Sequence, residues 1–132
     1  MRTITPALAL LALSATAAAP QDADIGFSLY TQYCATCHGE TGAGDGPLTE
    51  LMTQTPTDLR KLSEANDGVF PMLEVIHIID GRTGVRAHGG PMPVYGAIFS
   101  AETRDELGLT GSVIETRGRL LSLALYLEAL QG

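Results

Sequence analysis

The chain has 132 residues, a length that suits one small domain. With no tryptophan and only 5% aromatic residues, an all-protein core would be modest. Eight Lys and Arg against 15 Asp and Glu give a formal charge of −7; this argues against nucleic acid and anionic membranes and suits partners with a basic docking patch, while equally serving to keep a small protein soluble.

The N-terminus reads as a signal peptide. Arg2 supplies a short positive region, residues 7–13 are an unbroken apolar run, and residues 15–19 offer small-residue cleavage patterns. The predicted division is a signal peptide over 1–19, cut near 17–19, and one domain over 20–132. No cysteine lies near the cut to take a lipid, and no later stretch is long and apolar enough to cross a bilayer. The expected product is soluble and periplasmic.

Residues 22–32 are predicted as a helix, with Asp22 and Asp24 as alternative N-caps. Gly26, Tyr30 and Cys34 then fall one above another on a single face. Residues 39–56 read as loop from their glycine, threonine and proline content. A short helix is predicted over 71–80, with Pro71 at its first position and Gly81 closing it. Residues 81–96 read as a second loop. Ser112 and Glu115 form a capping box, which predicts the start of a last helix. Its buried stripe is Leu120, Leu123, Ala124, Leu127 and Leu130. The fold class is all-α, with two long loops that need something to wrap around.

Both cysteines and one histidine are crowded into Cys34-Ala35-Thr36-Cys37-His38. A disulfide here would close a very short loop and stabilise little. A thioredoxin-like redox pair needs a βαβ pattern, which is absent. A structural zinc site needs four ligands, and His77 and His88 are too widely spaced to complete it. Covalent haem attachment fits every position: Cys34 and Cys37 lie on one helical turn to form two thioethers, and His38 follows to ligate the iron. Gly39, Gly42, Gly44 and Gly46 would let the next loop turn tightly. Gly46-Pro47 could then bring the Pro47 carbonyl to the second ring nitrogen of His38.

These features together resemble the class I monohaem c-type cytochromes. Gly26 and Tyr30 match that family's Gly-x-x-x-aromatic pattern on the N-terminal helix. Leu123 and Tyr126 match the residues of the C-terminal helix that packs across it, and Gly46-Pro47 matches the support of the proximal histidine. The resemblance implies a small cytochrome c fold, with crossing terminal helices and loops around one haem c. One departure is the stretch over 97–111, longer than a minimal member needs and a candidate partner-specific insertion.

For the sixth iron ligand the chain offers Met52, Met72, Met92, His77 and His88. The resemblance favours Met92, which is followed by proline, one residue, an aromatic and glycine. Local chemistry agrees: Pro91 and Pro93 restrict the backbone on both sides, and Tyr95 can cover the pocket while its hydroxyl finds a polar partner. Arg82 and Arg86 are candidate propionate partners, or simply exposed cations. The reading is an electron carrier, not an enzyme. The alternatives are the haem subunit of a larger dehydrogenase or oxidase, and a haem sensor or enzyme with a displaceable sixth ligand.

Overall fold

Helix α1 spans Gln21–Tyr33 in the computed structural model, which describes residues 21–82 and 92–132. The predicted signal peptide and the part of the second loop that holds Arg86, His88, Gly89, Gly90 and Pro91 lie outside the described residues. Asp22 and Asp24, predicted as caps, are instead the second and fourth residues of α1. A carboxylate in the first turn complements the positive end of a helix as a cap does, so the acidic run is compatible with the earlier start.

Helix α2, Ala35–His38, is a single turn that carries the rest of the Cys-x-x-Cys-His motif. Residues 39–56 are not all loop: Pro47–Leu51 forms a 3-10 helix with proline in its first turn. Two more 3-10 turns follow, Leu59–Lys61 and Glu64–Asn66. Helix α3 is Met72–Asp80, so Pro71 is its N-cap and not its first helical residue. Gly81 ends it in the left-handed region, at φ 87°. Val75 and Ile79, four apart, are the face that α3 buries.

The largest correction concerns helix α4, Tyr95–Ala129, which begins well before the predicted start at Ser112. The stretch over 97–111 is largely helical. It is broken at Gly108, whose φ of 66° and ψ of −178° are open to glycine and strained for other residues. The chain folds back there. Arg119 Nη1 lies 2.9 Å from Glu102, 17 residues earlier, where a straight helix would hold the two about 25 Å apart. Segments 95–107 and 109–129 therefore pack side by side. The capping box does not form. Ser112 Oγ donates to the Leu109 carbonyl at 2.9 Å, and Glu115 is held by Arg119 Nε at 3.0 Å.

Helices α1 and α4 cross at Gly26. A Cβ built there would meet the Ser122 carbonyl oxygen and lie 2.7 Å from Tyr126 Cβ. The Tyr126 ring packs against Phe27 and Tyr30, at centroid distances of 5.7 and 5.2 Å. Leu120, Leu123, Ala124 and Leu127 are buried as the spacing predicts, and join Leu29, Tyr30, Val75, Ile79, Tyr95 and Phe99 in one core. Among the described residues there is no strand, and the fold is all-α. Replacing Gly26 by Val should force the crossing apart. We expect a loss of about 1–3 kcal/mol or more in denaturant unfolding; unchanged stability would mean the helices do not meet there.

Candidate functional site

The motif turn forms where α1 runs out. Cys34 N–H still donates to Tyr30 O at 2.8 Å, but the amides of Cys37 and His38 both turn to the Cys34 carbonyl, at 3.1 and 2.9 Å. A helix of one turn leaves its last carbonyls without intrahelical partners. The glycine loop supplies them. Gly46 N–H and Thr49 Oγ1 donate to Cys37 O at 3.2 Å each, and Gly44 N–H donates to His38 O at 2.8 Å. Gly46 runs so close that a Cβ would lie 2.6 Å from the Cys37 carbonyl carbon. Tyr30, buried below, donates its hydroxyl to Gly39 O at 2.6 Å. The glycines thus serve the backbone of the motif.

Cys34, Cys37, His38 and Met92 all line one cavity of about 250 Å³, together with Tyr33 and Tyr95. A second cavity of about 140 Å³ shares Cys34, His38, Thr57 and Met92 with the first. The two differ in character. The first opens between the exposed residues Gln54, Thr55 and Thr57. The second is floored by apolar side chains, among them Leu62 and Val75 before α4, and Leu123 and Leu127 on it. Apolar walls on one side and polar residues at the mouth suit a largely apolar group with one polar edge.

The donor chemistry fits the same group. Both thiols are free. Burial, and then the neighbouring Cys37, push the Cys34 thiol up to about 12, so it is held as a neutral thiol. Burial also lowers the His38 pKa and favours its neutral ring. His38 Nδ1 lies 3.2 Å from the Thr57 carbonyl oxygen, which can only accept. Nδ1 therefore carries the proton in that contact, and Nε2 keeps a free lone pair. This corrects the expected partner: Thr57 O, and not Pro47 O, faces His38. The pairing spans 19 residues and is made by a backbone atom, so no side-chain pattern announces it.

The remaining candidates are distributed as follows. Met52 lines the larger cavity. Met72 packs against the core, and His77 is half-buried on α3; neither lines either cavity. His88 lies outside the described residues. Arg82 pairs with Asp80, while Arg86 also lies outside. Tyr95 is buried and donates its hydroxyl to Tyr33 O at 2.6 Å, the polar partner its position calls for. The apolar floor from Leu59, Leu62, Val75 and Ile79 was not assigned to the site from sequence. The apolar spacing of "LRKL" and "VIHII" is its only local signal.

A family model described as cytochrome c oxidase, cbb3-type, subunit III matches residues 21–108. No curated protein and no solved structure matches the chain.

The tyrosines around the cavity give it an alkaline limit. Burial, and then the nearby Cys34, push Tyr95 up to about 12 from an ordinary 10.0, and raise Tyr30 as well. The unfolded chain then releases these protons first, so their stabilisation is complete below pH 10 and is lost as pH rises toward 12. Denaturant unfolding between pH 8 and 11 should show stability falling above 10, with a shallower fall in Tyr30→Phe. An equal slope in both proteins would refute the assignment.

Proposed function

The chain belongs to the c-type cytochrome family described as cytochrome c oxidase, cbb3-type, subunit III, and from that membership we propose that it is a periplasmic electron-transfer protein. It would carry one haem c, held through thioethers to Cys34 and Cys37, with His38 and Met92 as the ligands of the iron. The observation that carries this reading is the convergence of all four side chains on one cavity.

Bound haem supplies an iron that gains and loses one electron at a time. The protein's part is to hold and seal it. His38 offers a neutral nitrogen whose orientation the Thr57 carbonyl fixes. Met92 offers a soft, uncharged sulfur, which favours reduced iron and raises the potential relative to a second histidine. With His38 and Met92 both bound to the iron, no position would stay open for a substrate, and the role would be transfer and not catalysis. The apolar floor excludes water, and the polar mouth at Gln54, Thr55 and Thr57 leaves one edge accessible for electron exchange. Partners with basic docking patches suit the acid excess of the chain.

A second reading is favoured by the description of the matched family, a subunit of an oxidase. In that case the domain would be the haem subunit of a larger complex. Among the described residues no helix is long and apolar enough to cross a membrane. Co-purification with a stable membrane-bound partner would favour the subunit, and a monomer that exchanges electrons with several proteins would favour the carrier. Export is checked by the mass of the mature chain, which should begin after residues 17–19.

The oxidised protein should show a c-type haem spectrum with the weak near-infrared band of methionine–iron coordination. That band should vanish in Met92→Ala. Its absence from the unmodified protein would remove Met92 from the ligand set. Protein made without haem should be poorly ordered by circular dichroism, because the cavity walls lose their partner; a native-like cooperative melt would contradict this.

A further inference from the structure

We propose that Tyr95 is a positioning residue, whose hydroxyl straps the Met92 segment to the motif turn through the carbonyl of Tyr33. The inference rests on the reading of Met92 as a ligand and adds what holds it in place.

The strap begins with a freed acceptor. In a continuing helix the Tyr33 carbonyl would receive the Cys37 amide. That amide goes to Cys34 instead, at 3.1 Å, because the chain breaks step between α1 and α2. The Tyr95 hydroxyl takes the vacated carbonyl at 2.6 Å. Tyr33 directly precedes Cys34, and Tyr95 stands three residues after Met92. One hydrogen bond therefore joins the two sides of the cavity, between residues 62 apart in sequence.

Tyr33 is itself anchored, so the strap has a fixed end. Its hydroxyl donates to Glu102 at 2.9 Å, and Glu102 is held by Arg119 at 2.9 Å. The guanidinium of Arg119 lies 5.4 Å from the centroid of the Phe99 ring, which meets the Tyr33 ring at 5.1 Å and 73°. Both segments of α4 thus converge on Tyr33. Tyr95 is buried against the same aromatic pair, with its ring 5.9 Å from Tyr33 and 5.7 Å from Phe99. Removing the hydroxyl alone would leave that packing and free the segment that carries Met92.

The test measures how readily an outside ligand replaces Met92. Imidazole is titrated into the oxidised holoprotein, followed by the haem spectrum, for the unmodified chain, Tyr95→Phe, Tyr126→Phe and Met92→Ala. Tyr126→Phe removes a hydroxyl from the same core without touching the strap. Tyr95→Phe should bind imidazole about threefold to tenfold more tightly, the range that one hydrogen bond supplies, with Tyr126→Phe unchanged and Met92→Ala tighter than either. If Tyr95→Phe binds like the unmodified chain while Met92→Ala binds tightly, the strap is wrong and the ligand stands. If both tyrosine variants rise equally, the effect is general loosening and the strap is again wrong. If Met92→Ala gains nothing, the ligand assignment fails and takes the strap with it.

Discussion

The backbone contact between α1 and α4 at Gly26 is the constraint on which the cavity depends. A Cβ at Gly26 would run into the Ser122 carbonyl, so the two helices meet backbone to backbone there. That contact aims the C-terminal end of α1 at Tyr95 and Phe99, and presents Leu123 and Leu127 as a floor. The motif turn then projects over the floor, where the chain changes from one helical step to the next. Loosening the crossing would move the thiols relative to the floor without altering any residue of the motif.

The chemistry was more legible in the sequence than the architecture. Cys34, Cys37 and His38 are contiguous, and their spacing carries meaning before any fold is known. Helical periodicity places Gly26 and Tyr30 on one face and Leu123 on the apolar stripe of the last helix, while the meeting of these faces, with Tyr126 at it, was implied by the resemblance to the class I c-type cytochromes. The partner of His38 was not readable. Thr57 contributes a carbonyl, which every residue possesses, and only tertiary structure decides which one arrives. Gly46-Pro47 attracted the prediction because it is a visible punctuation, yet the amide of Gly46 serves Cys37 O.

The beginning of α4 was missed for a different reason. Ser112 and Glu115 have the spacing of a capping box, but each found a better partner: the Leu109 carbonyl for Ser112 and Arg119 for Glu115. The fold-back at Gly108 creates the pairing of Glu102 with Arg119, and a local pattern cannot register a partner supplied by a turn further upstream. The stretch over 97–111 consequently read as an insertion, whereas it supplies Phe99 and Glu102 to the wall beside the site. The family match runs through that first helical segment to residue 108.

The hydrogen bonds that draw the ends of the chain around the cavity join residues far apart: Tyr95 to Tyr33, Tyr33 to Glu102, and Gln131 to Leu59, at separations of 62, 69 and 72. Each closes a long loop, and loop entropy must be overcome before any of these contacts rewards the chain. The helices rest on local hydrogen bonds, whereas the enclosure they bound is assembled from segments far apart in sequence. The larger cavity is lined from residues 33–95, but the apolar floor of its neighbour also needs Leu123 and Leu127 of α4. The pocket is therefore a property of the finished chain, complete only once its last helix has returned to its first.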